Sequence, residues 1–294
     1  MQTGQRPRFH PAGPARLAVL ALALSLASCI IALPGAEALI VPAAPSMANG
    51  GAHGGTADLA SGSACQRSSA MSVQAFKATL AGTKGGLVLD IDETLSWTVA
   101  FWVERMQKLF GNPENLSVKD MADKYKLTQN VPYWQTDEAF AWMQKTRESE
   151  EAQEELPLVE GALQGVNDLL SNSVPLVGYL TVRPQAVLAP TERWLRAMGF
   201  PVLPVVAKPD DVPFQQGNAW KAEALRQLLP EVACIVDDNP SLPEHVGDRY
   251  AGRVFLYSHA SAAPHLTHHT RACPTWPDVV REVSEWYAVE TAST

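Results

Sequence analysis

Residues 86–95 read GLVLDIDETL and combine a short apolar run with two aspartates one residue apart. The apolar run is typical of a buried strand. An unpaired carboxylate is costly away from water, so Asp90 and Asp92 need a reason to follow such a strand. Open α/β sheets bind ligands at the carboxyl ends of parallel strands, where paired carboxylates suit a hard cation. An Asx turn after a strand is the alternative interpretation of the same residues.

A second strand-like run covers residues 174–180 and is followed by Thr181, with Arg183 two positions later. We expect Thr181 at the end of this strand and Arg183 just beyond it. Each has a structural alternative, since Thr181 could merely end the strand and Arg183 could pair with a surface acid.

A third strand-like run covers residues 232–236 and ends in Asp237 and Asp238. The segment before it, residues 220–229, has a helical pattern and carries Lys221 near its start. Alternating strands and helices predict a parallel, doubly wound sheet.

The ordered set of Asp-x-Asp-x-Thr, Thr, Lys and Asp-Asp resembles the haloacid dehalogenase-like (HAD) superfamily. The resemblance covers residues 72–260. It implies an α/β fold with a doubly wound parallel sheet, a Rossmann-like core, and a small helical cap inserted after the first motif. It also implies a Mg²⁺-dependent phosphatase of the Asp-x-Asp-x-Thr type, which hydrolyses small phosphomonoesters through an aspartyl-phosphate.

The same resemblance implies a role for each motif residue. Asp90 would be the nucleophile and Asp92 the general acid and base. The phosphate would be bound by Thr181, Lys221 and Arg183. The ligands of Mg²⁺ would be Asp90, Asp92 through its backbone carbonyl, Asp237 and Asp238.

Several alternatives stay open at this point. Lys208 could replace Lys221 as the motif lysine, because it also lies between the second and third acidic strand ends. A phosphotransferase would use the same groups, and a non-catalytic binding or storage protein could use the same scaffold. A carbon–halogen hydrolase is disfavoured, because such enzymes lack the second aspartate, here Asp92.

The spacing of the motifs predicts the domain organisation. Asp92 and Thr181 lie too far apart in sequence for a single crossover connection. The residues between them are helical in character, with helical spacing over 101–110 and a second amphipathic segment over 136–155. The predicted parts are a core over 71–96 and 161–286, a helical cap over 97–160, and a C-terminal tail over 287–294.

The N-terminal residues are predicted to be a targeting segment. Three arginines precede an apolar run over residues 17–33, and small residues at 36–38 suggest a cleavage site. A signal peptide over 1–38 would be followed by a disordered linker over 39–70, which is rich in Ala, Gly, Ser and Pro. Export to the periplasm or the medium is expected, with no stable membrane span after cleavage. Alternatives are a lipoprotein attached at Cys29 and a plastid protein with a bipartite presequence.

Composition narrows the choice of partner. The formal net charge of −8 argues against nucleic acid bound through its phosphates. The family resemblance implies a small phosphorylated metabolite as the partner. Cys65 and Cys273 could pair if the protein is exported.

Other residues gave weaker signals. The aromatic residues of the predicted cap are expected mainly to form its core, with Trp97 and Trp102 as candidate substrate contacts. His265, His268 and His269 are expected in a solvated loop, and Thr191 is predicted as a helix N-cap.

Overall fold

The structure is a computed structural model that describes residues 70–292. The predicted signal peptide, nearly all of the predicted linker, Cys29 and Cys65 lie outside the described residues. Within residues 70–292, no helix combines the length and the apolar character needed to cross a membrane.

Six strands of the described chain form one sheet in which every neighbouring pair is parallel. They are β1 (Gly86–Leu89), β2 (Leu176–Pro184), β3 (Val205–Lys208), β4 (Val232–Asp237), β5 (Arg253–Tyr257) and β6 (Thr270–Cys273). The order across the sheet is β3-β2-β1-β4-β5-β6. The predicted doubly wound, Rossmann-like parallel sheet is therefore confirmed.

Ten α-helices surround or extend this sheet in the described part of the chain. They are α1 (Val73–Thr79), α2 (Thr98–Phe110), α3 (Val118–Tyr125), α4 (Asp137–Arg147), α5 (Glu150–Glu154), α6 (Ala162–Ser171), α7 (Leu188–Ala197), α8 (Gly217–Leu228), α9 (Leu242–Val246) and α10 (Trp276–Ala292). Five of them, α2 to α6, lie in the single connection between β1 and β2, and the last of these, α6, packs against the sheet.

The core has one apolar layer on each face of the sheet, because successive side chains of a strand point to opposite faces. Leu87 and Leu89 pack against α6, α7 and α10, whereas Val88 packs against α1, α8 and α9. Parallel strands covered on both faces are near-continuous apolar runs, which is why the sequence shows them clearly.

A third apolar cluster lies within the connection between β1 and β2. It includes Met106 of α2, Met121 of α3, Met143 of α4 and the fully buried Trp134. Trp102 and Trp142 pack edge to face beside it, with ring centroids 6.0 Å apart. Most aromatic side chains of this region therefore build its core, as the sequence suggested.

Several predicted boundaries differ from the structure. Strand β2 continues through Pro184, because its ladder with β3 extends to Lys208, so Thr181 and Arg183 lie within the strand. The prediction of Thr191 as an N-cap is wrong: Thr191 lies inside α7, where its hydroxyl donates to the carbonyl of Val187 (2.8 Å).

One predicted helical segment and the predicted C-terminal tail also differ from the structure. The segment over 136–155 breaks into α4 and α5, because the hydroxyl of Ser149 accepts a hydrogen bond from Ala152 N (3.2 Å) and begins a new helix. Helix α10 continues through Ala292, although the C-terminal tail was predicted to begin at residue 287. Tyr287 of α10 donates its hydroxyl proton to the carbonyl of Gly85, just before β1.

Helix α10 supports the segment that follows β1. The indole N–H of Trp276, at the start of α10, donates to the carbonyl of Thr94 (3.1 Å). Gly165 of α6 allows this ring to approach, since a Cβ there would lie only 2.4 Å from the indole. Helix α10 thus anchors the residues directly after Asp92.

Candidate active site

The point where the strand order reverses lies between β1 and β4, which are adjacent in the sheet but far apart in sequence. Crevices at such points, outside the carboxyl ends of the strands, are where open α/β sheets bind ligands. Asp90 follows β1 directly, and Asp237 is the last residue of β4. The two acids therefore meet at this edge of the sheet.

Lys221 of α8 joins these two aspartates. Its Nζ lies 2.6 Å from Asp90 Oδ1 and 2.7 Å from Asp237 Oδ2. All three side chains are at least 95% buried. Since α8 leads directly into β4, its inward face points Lys221 along the sheet toward the strand ends.

The cluster contains more negative than positive charge. Oxygen atoms of Asp90, Asp237 and Asp238 all lie within 4.8 Å of one another. The pKa of Asp90 is raised to about 7, chiefly by burial; Lys221 opposes this rise, and the neighbouring Asp237 and Asp92 add to it. Burial likewise raises the pKa of Asp238 well above its ordinary value. One lysine thus faces three carboxylates.

These features fit a divalent cation. A hard cation such as Mg²⁺ takes oxygen ligands and commonly uses one or two carboxylates. Asp90, Asp237 and Asp238 offer such oxygens, and a bound cation would favour the ionised forms of Asp90 and Asp238, whose pKa values are raised. The residues present therefore fit the Mg²⁺ that the sequence predicts.

Asp92 belongs to a different ion pair. Arg183 Nη2 lies 2.7 Å from Asp92 Oδ1, and Arg183 Nε donates to Asp92 Oδ2 at 3.0 Å. Burial tends to raise the pKa of Asp92, but the charge and hydrogen bonds of Arg183 outweigh it, so this pKa lies below its usual value. Arg183 thus contacts a motif carboxylate in the structure, and that carboxylate is the candidate acid and base.

Three hydroxyl groups complete this pair, and sequence reasoning missed this role for all of them. Thr98 donates to Asp92 Oδ1 (2.5 Å), while Ser96 and Thr191 accept from the guanidinium of Arg183 at 3.0 and 3.2 Å. Ser96 and Thr98 follow the first motif closely, and those two small polar residues were the available signal. Thr191 is too distant in sequence to be found this way.

Glu93 connects the motif to the helical region that follows. Its carboxylate accepts a hydrogen bond from Val99 N (2.6 Å) in the first turn of α2, where the backbone N–H groups lack partners within the helix. Burial raises its pKa to about 8. Glu93 also has a positive φ of 56°, so the chain turns sharply here between β1 and α2.

The other two predicted residues lie outside both ion pairs. Thr181 is fully buried, and its hydroxyl accepts from Arg183 N (3.2 Å); within residues 70–292 no hydrogen bond links it to an aspartate. Lys208, the alternative to Lys221, lies at the end of β3. Its Nζ donates to the carbonyls of Pro209 and Val212 at 2.9 and 2.6 Å. Of the two lysines, only Lys221 contacts the acids.

The histidines lie near the first residues of β5 and β6, at the amino ends of these strands. His265 Nε2 lies 3.1 Å from the exposed carboxylate of Glu244, and His268 bonds the carbonyl of Asp248 (3.0 Å). His269 is buried, unlike the other two, and packs edge to face against Tyr250. In the described chain, the three do not converge as metal ligands.

No protein-family model and no curated protein sequence matches the chain. Three solved structures to which it is similar are all of hydrolases. A HAD family hydrolase from Deinococcus radiodurans R1, with bound phosphate and sodium, is 14% identical with a TM-score of 0.46; the match covers 69% of this chain and 96% of that one. A HAD-superfamily hydrolase from Ehrlichia chaffeensis is 12% identical with a TM-score of 0.41, covering 69% and 98%.

The third is an L-2-haloacid dehalogenase, 13% identical with a TM-score of 0.40, covering 69% of this chain and 99% of that one. These structures include hydrolases of different bonds. At these identities and TM-scores, the similarity assigns no activity to this chain, and any assignment has to come from its own residues.

Proposed function

We propose that this chain is a HAD-type phosphatase of the Asp-x-Asp-x-Thr type, which hydrolyses small phosphomonoesters with Mg²⁺ as its cofactor. The observation that carries the proposal is the cluster at the reversal point of the sheet. There Lys221 bridges Asp90 and Asp237 at 2.6 and 2.7 Å. An oxygen of Asp238 lies within 4.8 Å of oxygens of both aspartates, so that one metal ion could bind all three. Four motif residues separated by up to 148 positions converge there.

The proposed reaction begins at Asp90. One carboxylate oxygen of Asp90 accepts from Lys221, and the other attacks phosphorus, so that a bond to phosphorus forms as the bond to the leaving oxygen breaks. Lys221 offsets the negative charge of the acid and of the transferred group. The product of this step is an aspartyl-phosphate on Asp90.

Asp92 transfers the protons in both steps of the proposed reaction. In its protonated form it gives a proton to the departing alkoxide, and in its ionised form it takes one from the water that hydrolyses the aspartyl-phosphate. Arg183 and Thr98 hold both oxygens of this carboxylate, so its orientation is set before substrate arrives. For Arg183 this favours a positioning role over the phosphate contact expected from the sequence.

The bound Mg²⁺ would supply charge stabilisation as phosphoryl transfer proceeds. Asp90, Asp237 and Asp238 would hold it, with the backbone carbonyl of Asp92 as the further ligand implied by the family resemblance. Thr181 is assigned to a phosphoryl oxygen on the same basis.

Helices α2 to α5 would form the cap, which is predicted over residues 97–160, with the aromatic cluster as its core. Export of the protein remains a prediction from residues 1–38, and the absence of a nucleic-acid partner remains a prediction from the net charge.

The test is release of inorganic phosphate from p-nitrophenyl phosphate and from a panel of phosphorylated metabolites, with Mg²⁺ or with EDTA. We expect turnover only with the metal, and acid quenching during turnover should trap phosphate on Asp90. Folded wild-type protein that releases no phosphate from any phosphomonoester would contradict the proposal.

A further inference from the structure

A cleft of about 660 Å³ lies at the carboxyl ends of β2 and β3 and is not used by the mechanism above. One wall comes from the ends of β2 and β3 and the loop after β3, including Val182, Lys208 and Phe214. The other wall comes from α4, including Phe140 and Arg147. Its volume is in the range of small-molecule sites.

The cleft is within reach of the proposed nucleophile. It opens at the carboxyl ends of β2 and β3, and Asp90 lies at the carboxyl end of β1 in the same sheet. Strands β1 and β3 flank β2, so two inter-strand spacings, about 10 Å, separate them. A phosphomonoester bound at Asp90 could therefore place its alcohol part in the cleft.

Arg147 is the cation of this cleft whose donors are largely unused. Its guanidinium donates to Gln144 Oε1 (3.0 Å) and lies 4.4 Å from the ring centroid of Phe214. A guanidinium has five N–H donors, and no carboxylate of the described chain forms an ion pair with this one. Burial lowers the pKa of Arg147 by more than the nearby charge of Glu148 raises it.

The two acids that line the cleft are turned to other donors. Glu148 accepts a hydrogen bond from the side chain of Gln144, and Asp210 accepts one from Ala186 N (3.2 Å). Lys208 is also occupied, since its Nζ holds the carbonyls of the loop that forms the wall. Arg147 is thus left to bind an anion from outside the chain.

The aromatic side chains complete the site. Phe140 and Phe214 are 44% and 49% exposed, and both line the cleft. Phe214 packs on the guanidinium and leaves its edge available for the two parallel hydrogen bonds that a carboxylate accepts.

We propose that this cleft binds the alcohol part of the phosphomonoester, and that Arg147 is a specificity-determining residue selecting alcohols with a second anionic group, such as a carboxylate. This inference rests on the proposed phosphatase function and names its substrate class. Arg147 would act on binding of the leaving group and not on the phosphoryl transfer itself.

The test compares 3-phosphoglycerate with glycerol 3-phosphate, which share a carbon skeleton and differ in one carboxylate. Both are assayed with full-length wild type, Arg147→Met and the control Lys145→Met, which removes an exposed cation of the same helix outside the cleft. In wild type, KM for 3-phosphoglycerate should be the lower. Arg147→Met should raise that KM about 10- to 100-fold, the loss expected for a charge-assisted hydrogen bond.

The other parameters should change little. For Arg147→Met, kcat for both substrates and KM for glycerol 3-phosphate should stay within about twofold, as should all values for Lys145→Met. An equal effect of Arg147→Met on both substrates, or no effect on either, would overturn the inference. So would a wild-type preference for p-nitrophenyl phosphate that Phe214→Leu abolishes, since the cleft would then select an aromatic ring.

Failure of the proposed function would look different. If wild type hydrolyses neither substrate, binding of 3-phosphoglycerate and glycerol 3-phosphate is measured by calorimetry on the same three proteins. Tighter binding of 3-phosphoglycerate that is lost only in Arg147→Met would uphold the anion site without the activity. Equal binding of the two compounds in wild type would reject the site as well.

Discussion

Two buried ion pairs flank the segment after β1, and they differ in charge balance and access. The side chains of Lys221, Asp90 and Asp237 are closed to solvent, and with the partly buried Asp238 this cluster has one cation among three acids. The Arg183 pair joins one cation to one acid, and the Asp92 side chain keeps 28% of its surface exposed. The Lys221 cluster therefore has an excess of acidic groups, whereas the Arg183 pair has one positive and one negative group.

This difference suggests a division of labour. Buried charges are costly unless they are compensated, so an excess of acids is tolerated where a cation can be added. A balanced, bidentate pair needs no added ion and fixes the orientation of its carboxylate. The first pair is therefore suited to binding a metal ion and a phosphoryl group, and the second to orienting an acid and base.

The largest expected effect is on activity, from Asp90→Asn. The amide cannot form the aspartyl-phosphate, so Mg²⁺-dependent hydrolysis of p-nitrophenyl phosphate should fall by on the order of 10⁴-fold or more. Circular dichroism should show an unchanged fold. Retention of more than a few per cent of the activity would remove Asp90 from the nucleophile's role.

The next largest expected effect is a difference in stability between variants of the two lysines. Lys221→Met leaves buried carboxylates without their counter-ion and should lower the free energy of unfolding by about 3–5 kcal/mol. The matched control Lys208→Met removes hydrogen bonds to two carbonyl groups and should cost about 1–2 kcal/mol. Urea denaturation in EDTA measures both, and equal losses would contradict the special position of Lys221.

Arg183→Lys tests the balanced pair. Lysine keeps the charge but cannot bond both oxygens of Asp92, so kcat should fall about 10- to 100-fold through misplacement of that carboxylate. KM should change little. A large rise in KM with an unchanged kcat would instead assign Arg183 to phosphate binding, as the sequence suggested. Arg193→Lys, on the exposed face of α7, is the control and should leave both constants unchanged.

The smallest expected effect separates the pairs by their response to Mg²⁺. At ten times its Kd, Mg²⁺ should stabilise the folded wild type by about 1.4 kcal/mol. Asp237→Asn should lose this increment, while Asp92→Asn should retain it, because the Asp92 side chain is held by Arg183 and Thr98. Denaturation with and without Mg²⁺ measures the increment, and its loss in Asp92→Asn alone would reverse the assignment of the two pairs.

Much of the fold and of the site follows from local pattern. Strands β1, β2 and β4 are recognisable as short apolar runs because both faces of a covered parallel sheet are buried. Asp90, Asp237 and Thr181 could be placed because each lies at or near the end of such a run. Strands β3, β5 and β6 were not identified, being four or five residues long without a polar motif that marks their ends.

The sequence by itself thus determined the sheet type and the acids at the strand ends, through apolar periodicity and residue chemistry. Only the tertiary structure decided which charges meet. Lys221, and not Lys208, is the lysine that contacts Asp90, although the two residues lie 131 positions apart in the sequence. Arg183 likewise contacts Asp92, which lies 91 positions away. The cleft at Arg147 likewise depends on α4 packing beside the end of β3. Such contacts depend on how distant elements pack, and residue spacing along the chain carries no record of that packing.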